Sequence, residues 1–244
     1  VGLSLLLNEA ARGWLSNLLA VLVDLLAAIP SVVYGLWALF VLQPVLDRTI
    51  EPFLSTTLGR VPVLGTLFSA NPGGGFQGGD LFTAGVVLAI MILPIVTAVS
   101  REVVATVPRD LREASLALGA TRYEMIRTAV LPYARSGIVG ATMLGLGRAL
   151  GETIAVAMVI GNGLGMRGSL FDAGYTIPAV IANEFREASS AGLHKASLLA
   201  LALILVAIAL AFAALSRLLI GRSTAKASPP SPSAEEVAML EGGA

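Results

Sequence analysis

The sequence predicts an all-α fold, a polytopic bundle of transmembrane helices, on three observations. Hydrophobic residues make up 56% of the chain and charged residues only 13%, whereas a soluble domain usually has about 45–50% apolar and about 25% charged residues. The mean hydropathy is +0.84. The apolar residues are gathered in long runs that can cross about 30 Å of hydrocarbon. Lipid is therefore the expected surroundings of most of the chain.

Four apolar runs predict the membrane spans. They are Leu25–Leu42, which Leu18–Val23 extends past Asp24, then Leu81–Ser100, Ser136–Met166 and Ala196–Ser216. Pro30 and Pro94 lie inside runs, where proline frees a backbone carbonyl and commonly kinks a membrane helix. Val1–Leu7 is apolar but too short to span, so we expect it to be the end of a helix whose beginning is missing. An N-terminally truncated chain of four whole spans is the expectation.

The segments between the runs predict the domain organisation. We expect a transmembrane domain over residues 1–222 and a disordered tail over 223–244, which is rich in Ser, Pro, Ala and Glu. Gln43–Asp80 is expected to be a long loop, and a short helix is expected near Ile177–Arg186. Basic residues are concentrated in Arg101–Arg135 and beside the C-terminal end, which places these segments in the cytoplasm.

Composition excludes several function classes. The chain has no cysteine and one histidine, His194, so disulfides and zinc-thiolate sites are excluded and neither a metal nor an organic cofactor is expected. The formal net charge is zero, which gives no reason to expect nucleic-acid binding. No G-x-x-x-x-G-K-[ST] phosphate loop occurs, so we expect no ATP hydrolysis by this chain. A membrane-bound enzyme is disfavoured because no catalytic cluster is visible.

The cytoplasmic segment 101–135 has the pattern of two short helices. Pro108 suits the first turn of a helix, Leu111, Ala114 and Leu118 recur at helical spacing, and Gly119 is a typical C-terminal stop. Thr121 and Glu124 form a capping box that starts a second helix, and Pro132 is expected to end it. An amphipathic element resting on the membrane and a docking element both fit this pattern.

Two charges interrupt the run Ser136–Met166. Arg148 and Glu152 are four residues apart, which places them on one face of a continuous helix, where they can pair. Charges at this depth cost about 2.5–3.5 kcal/mol each and usually face protein or water. Gly147 and Gly151 have the spacing that lets another helix approach closely. Either the charges form a structural ion pair, or Arg148 contacts a passing oxyanion while Glu152 holds it in place.

The cytoplasmic segment resembles the coupling motif of ABC importer permeases, E-A-A-x-x-x-G followed nine residues later by I-x-L-P. The matching residues are Glu113, Ala114, Gly119, Leu131 and Pro132. Ser115 replaces the second alanine and Ala129 replaces the isoleucine. The resemblance implies that this element is the helix that docks on an ATP-binding cassette ATPase subunit, within a type I importer permease (MetI-like) fold.

Three further stretches are similar to the phosphate-specific transport permeases, nearer to the C-type subunit than to the A-type. They are Leu26–Trp37, Ala89–Ile95 and Leu144–Thr153. The resemblance implies that Arg148 and Glu152 take part in phosphate translocation. It also implies a bacterial inner-membrane complex with ATPase subunits, a paralogous permease and an external phosphate-binding protein.

Two other functions stay open from the sequence. One is an ABC permease for another oxyanion, since molybdate and sulfate permeases share the architecture. The other is a secondary transporter that uses Arg148 and Glu152 as its relay. A secondary transporter needs no coupling helix, so the element between Pro108 and Pro132 argues against it.

Overall fold

The fold is all-helical over the residues described by the computed structural model, which are 2–5, 14–61, 65–69, 79–163, 168–188 and 192–225. The helices are α1 (Gly2–Leu5), α2 (Trp14–Ala28), α3 (Ser31–Trp37), α4 (Gln43–Val45), α5 (Glu51–Thr57), α6 (Leu81–Ala105), α7 (Arg109–Ala117), α8 (Arg122–Met125), α9 (Leu131–Leu150), α10 (Ile154–Val159), α11 (Ile177–Glu184) and α12 (Leu193–Ala225). Residues 71–78 of the predicted glycine-rich loop and residues 226–244 of the predicted tail lie outside the described residues. Helix α12 continues to Ala225, so the first residues of the predicted tail are helical.

Two of the predicted spans are confirmed as single helices. Within the described residues, Leu81–Ala105 and Leu193–Gly221 are each long and apolar enough to cross a membrane. A third candidate is a broken span, Asn17–Ala28 with Ser31–Thr57, bent by 94°. The short helix expected near Ile177 is also present. The fourth apolar run is not one span, because α9 ends at Leu150 and α10 begins only at Ile154.

The bend between α2 and α3 confirms the effect predicted for Pro30. Proline has no N–H and clashes with the carbonyl four residues earlier, which here is the carbonyl of Leu26. The Tyr34 hydroxyl donates a hydrogen bond of 2.8 Å to this carbonyl, and the Ile29 N–H also approaches it at 3.3 Å. The elbow therefore supplies hydrogen-bond partners for the carbonyl that the proline releases.

Residues 43–57 are helical, so the prediction of a long loop from Gln43 was wrong for its first part. Two π-helical segments, Ala38–Leu42 and Leu46–Ile50, join the short α segments into one helical path. Pro44 and Pro52 are each the second residue after a π segment. The residue four positions before each proline lies inside that segment, where the wider i→i+5 turn moves the carbonyl that proline would otherwise strike.

Pro132 repeats this arrangement, and the prediction that it ends the second cytoplasmic helix was wrong. The π segment Ile126–Val130 follows α8, and α9 begins at Leu131 with Pro132 as its second residue. The helical path therefore runs from Arg122 to Leu150. Pro94, in contrast, lies inside α6 with regular α-helix on both sides.

Two clusters of buried apolar side chains lie at different levels of the bundle and share α6. The first joins α6 to α10 and to the segment after α3: Ala38, Ala84, Val87, Ala155, Val156, Val159 and Ile160. The second lies at the other end of α6, beside α7 and α8: Val104, Val107, Met125, Val130 and Ala134. Helix α12 is different, since only 6% of its apolar window is buried within the chain.

The close approach between α6 and α9 uses glycines other than the predicted pair. A Cβ atom added at Gly137 or Gly145 would collide with valine side chains of α6. At Gly147 the nearest such atom, a ring carbon of Phe212, is 3.8 Å away, and Gly151 lies beyond the end of α9. The Gly147–Gly151 spacing therefore does not mark the tightest seam of this chain.

Asp24, which the sequence left without a role, forms an ion pair. Its carboxylate lies 3.1 Å from the Arg101 guanidinium. This contact joins α2 to the last part of α6.

We predict different outcomes for the same substitution at two helical glycines. A Cβ at Gly35 would lie 2.9 Å from the Ala155 Cα, whereas a Cβ at Gly85 would meet nothing within 4 Å. Gly35→Ala should destabilise the protein by about 1–3 kcal/mol, because the new methyl group would be overpacked against the Ala155 backbone. Gly85→Ala should be neutral or stabilise it by about 0.5–1 kcal/mol, because glycine weakens a helix. Thermal unfolding of the purified variants measures both, and equal destabilisation would contradict the packing described.

Candidate functional site

Arg148 occupies the last turn of α9 and is exposed within this chain. It lines a groove of about 770 Å³ between α9 and α12. The groove walls are almost entirely apolar or glycine, and Arg148 and Arg217 are the charged residues among them. Arg148 therefore presents a permanent positive charge to an apolar groove.

Glu152 does not pair with Arg148, so that prediction was wrong. Helix α9 ends at Leu150 and Gly151 is its C-cap, which places Glu152 outside the helix and off the face that carries Arg148. Among the described residues, no carboxylate lies within ion-pair distance of Arg148. The spacing of four residues implies a pair only if the helix continues, and here it does not.

Glu152 instead caps α10, the helix that follows the break. Its side chain is buried, with 8% exposure, and its Oε1 accepts a hydrogen bond of 3.3 Å from the Ala155 N–H in the first turn of α10. A carboxylate at this position accepts from an N–H that lacks an intrahelical partner. Its negative charge also interacts favourably with the positive end of the helix dipole. The order Gly151-Glu152-Thr153 is itself a stop followed by a start signal, and it could have indicated the break.

The predicted docking helix is present as α7, and its outer surface is open. No residue of α7 is buried; Leu111 and Leu116 are each 42% exposed and Leu118, its C-cap, is 90% exposed. Glu113 and Ala114 are also exposed. Large apolar side chains on the exposed surface of a short polar helix indicate a surface that another protein or the membrane covers.

Gly119 ends α7 in a Schellman motif. The Gly119 N–H donates to the Leu116 carbonyl (3.0 Å) and the Ala120 N–H to the Ser115 carbonyl (3.2 Å). Gly119 has a φ of 86°, in the left-handed region, while a Cβ there would meet nothing within 4 Å. The requirement for glycine is therefore conformational and is not a matter of space.

The capping box predicted at Thr121 is confirmed. The Thr121 hydroxyl accepts from the Glu124 N–H (3.3 Å), and the Thr121 N–H donates to Glu124 Oε2 (2.8 Å). With the Schellman motif three residues earlier, it fixes the direction of the chain between α7 and α8. The turn between the two short helices is thus determined by local hydrogen bonds.

The inner surface of the segment 101–135 is packed firmly against the bundle. Val107 and Met125 are buried in the second apolar cluster with the end of α6 and the start of α9. The Arg112 guanidinium donates a hydrogen bond of 2.8 Å to the Val104 carbonyl, in the last turn of α6. The segment is therefore in direct contact with both α6 and α9.

A group of three acidic residues was missed by the sequence analysis. Among the described residues, Asp47, Glu51 and Asp80 each place a carboxylate oxygen within 4.8 Å of the others. Carboxylate oxygens are ligands that hard cations accept. Asp80, however, already caps α6 by accepting from the Thr83 N–H at 2.7 Å. The group escaped notice because Asp47 and Glu51 lie in residues predicted to be a loop.

Comparison with known families decides which class of protein this is. The family model described as "Binding-protein-dependent transport system inner membrane component" matches residues 1–224. The chain belongs to this family. It is accordingly a transport subunit and an integral membrane protein, with no catalytic role of its own expected in this family.

Individual members of the family are similar over most of the chain. The "Phosphate transport system permease protein PstC" of Xylella fastidiosa strain Temecula1 is 44% identical over 226 residues, 93% of this chain and 68% of that protein. The protein of the same name from Haemophilus influenzae is 45% identical over 219 residues, 90% of this chain and 68% of its own length. "Phosphate transport system permease protein PstC 2" of Mycobacterium tuberculosis is 48% identical over 190 residues, 78% of this chain and 57% of that protein.

The residues matched to the importer-permease motif lie at α7 and at the start of α9. Glu113 and Ala114 lie on α7 and Gly119 ends it, while Leu131 and Pro132 begin α9 behind a π segment. The sequence analysis missed Arg112 and the valines that anchor this element to α6. The signal available was the run of apolar residues Val103, Val104 and Val107 just before Pro108.

We predict that the backbone amides at the start of α8 lose protection from hydrogen exchange at low pH. The pKa of Glu124 is lowered because the Thr121 N–H and then the Thr121 hydroxyl donate to its carboxylate. A depressed carboxyl pKa stabilises the cap above the ordinary pKa, and this stabilisation is lost as the pH falls through the lowered value. The hydrogen-exchange protection factor of residues 121–125 should therefore fall with acidification. Glu124→Gln should remove most of this pH dependence, and an unchanged profile in that variant would contradict the assignment.

Proposed function

We propose that this chain is the membrane-spanning permease subunit of an ATP-driven importer of inorganic phosphate. The observation that carries the proposal is the cytoplasmic element α7–α8, whose exposed apolar side chains leave a docking surface while its back is packed on α6 and α9. A permease that needed no ATPase would have no use for such an element. The names of the similar proteins support phosphate as the substrate, and another oxyanion is not favoured.

Arg148 is the residue that we assign to the phosphate pathway. Its planar guanidinium can donate two parallel hydrogen bonds to a phosphate, and no described carboxylate neutralises it within this chain. The apolar groove strengthens its attraction for an anion, since few polar groups compete there. A contact from one side only is suited to transient binding, which a translocation pathway requires.

Glu152 takes a different part in this proposal from the one predicted. It caps α10 through the Ala155 N–H and does not hold Arg148. Its contribution to the pathway is to maintain the break between α9 and α10, which leaves Arg148 at a helix end. Removal of its carboxylate would extend or loosen the break and so move Arg148 indirectly.

The family and the open surfaces of the chain support the partners that we propose. A pair of ATP-binding cassette ATPase subunits would dock on α7, with Glu113 and Gly119 at the contact. A paralogous permease would cover part of the open apolar surface of α12 and of the groove. An extracytoplasmic phosphate-binding protein would deliver the substrate. The location is the bacterial inner membrane, crossed several times, with α7 on the cytoplasmic side.

We predict that Arg148→Ala lowers phosphate uptake at least about tenfold in the assembled complex. A hydrogen bond to a charged group is worth about 1.5–3 kcal/mol, and about 1.4 kcal/mol corresponds to a factor of ten. Arg148→Lys keeps the positive charge but loses the two parallel N–H donors of the guanidinium, so it should retain part of the activity. Radiolabelled phosphate uptake with full-length subunits measures this, with assembly checked by co-purification.

Three results would change the proposal. Normal uptake in Arg148→Ala would remove this residue from the pathway. Competition with sulfate and molybdate tests the substrate: preferential inhibition by either anion over unlabelled phosphate would point to a different oxyanion. Uptake driven by a proton gradient without ATP would point to a secondary transporter.

We predict that Gly119→Ala weakens association with the ATPase subunits, whereas Gly119→Asn is tolerated. An L-residue pays roughly 1–2 kcal/mol in the left-handed conformation, and Asn adopts it more readily than Ala. The turn of α7 would distort, and the affinity for the ATPase should fall by up to about thirtyfold when this whole cost is lost from binding. Co-purification and titration with the ATPase subunit measure this. Equal binding by the Ala and Asn variants would show that φ at this position does not control docking.

A further inference from the structure

The Asp24–Arg101 ion pair connects the elbow-forming helix α2 to the end of α6. Arg101 Nη2 donates to both carboxylate oxygens of Asp24, at 3.1 Å and 3.4 Å. The side chains are 22% and 49% exposed for Arg101 and Asp24. Replacing either residue by an uncharged amide removes the ion pair without placing a larger side chain between the two helices, so the chain should still fold.

The same end of α6 holds the cytoplasmic element. Arg112 of α7 donates to the Val104 carbonyl, one turn beyond Arg101. A displacement of α7 therefore moves the α6 turn that carries Arg101. Through the ion pair, that displacement reaches Asp24 on α2.

Beyond α2, packing continues the connection to the break beside Arg148. The elbow at Pro30 joins α2 to α3 at 94° and is braced by the Tyr34 hydroxyl. Gly35 of α3 lies so close to Ala155 that a Cβ there would be 2.9 Å from the Ala155 Cα. Ala155 is the residue whose N–H Glu152 caps. The connection from α7 to the α9–α10 break is thus continuous.

We propose that Asp24 and Arg101 are positioning residues for coupling, which make α2 follow the movement of the docked α7–α8 element. The ion pair passes this movement through the Pro30 elbow and α3 to α10, and so to the break that leaves Arg148 at a helix end. The inference rests on the proposed function, because it assumes that an ATPase moves α7. Demonstrating such a connection requires a coupling measurement and not proximity alone.

The test measures phosphate transported per ATP hydrolysed in vesicles that contain the full-length complex. Asp24→Asn and Arg101→Gln should each assemble and hydrolyse ATP, while the phosphate-to-ATP ratio falls severalfold. The double variant Asp24→Arg with Arg101→Asp restores the pair in reverse and should recover most of the ratio. Glu102→Gln is the matched control, since it removes an exposed charge at the next position of α6 and should change nothing.

A second measurement does not depend on comparing separately folded variants. These 244 residues contain no cysteine, so Asp24→Cys with Arg101→Cys introduces the only thiols within them. The unlinked double variant should be uncoupled, and joining the two thiols with a short bismaleimide should raise its phosphate-to-ATP ratio. An identical ratio before and after cross-linking would overturn the proposal.

The remaining outcomes are equally decisive. A normal ratio in both single variants, or a charge-reversed pair no better than the single variants, overturns the role of the ion pair. Loss of assembly in the single variants assigns the pair to structure and also overturns it. Failure of the wild-type complex to bind an ATPase or to import phosphate contradicts the proposed function instead, so the two failures are distinguishable.

Discussion

The absence of water in the hydrocarbon core is the constraint on which this structure depends. Every backbone N–H and carbonyl there must find a partner within protein, yet the chain interrupts its helices repeatedly. Each interruption has its own solution: the Tyr34 hydroxyl at the Pro30 elbow, π segments before three prolines and the Glu152 carboxylate at the start of α10. Several polar groups that suggest a binding role are therefore explained by backbone hydrogen bonding.

The same constraint determines how far the sequence could predict the fold. Uninterrupted apolar runs such as the one in α12 were predictable, because length and composition alone decide them. Residues 43–57 were not, since Pro44, Pro52 and three charged residues together have the pattern of a loop. A π segment ahead of a proline allows the helix to continue through a sequence that looks like a loop. A search for the 3.6-residue period does not detect this wider turn.

The two parts of the candidate site were predictable to different degrees for a related reason. The turn between α7 and α8 was predictable to the residue, because Gly119 and the Thr121–Glu124 box act through local hydrogen bonds. The relation of Arg148 to Glu152 was not, because it depends on whether the helix continues through Gly151. That choice is made by tertiary packing, in which α10 lies against α3 and α6. The role of Asp24 likewise required its partner, 77 residues away, to be in place.

The two apolar clusters suggest where movement within the permease is concentrated. Packed clusters shift as units and do not deform continuously. One contains Ala84 and Val87 of α6 and the other contains Val104, so Pro94 lies between them on the shared helix. The α9–α10 break also lies between the two levels, since Ala134 of α9 belongs to one cluster and Ala155 of α10 to the other. This break interrupts regular helix, whereas α6 continues through Pro94, and Arg148 lies directly beside the break. A small rotation between the clusters would therefore change the surroundings of Arg148 while both clusters stay packed, which is the property that alternating access to a charged site requires.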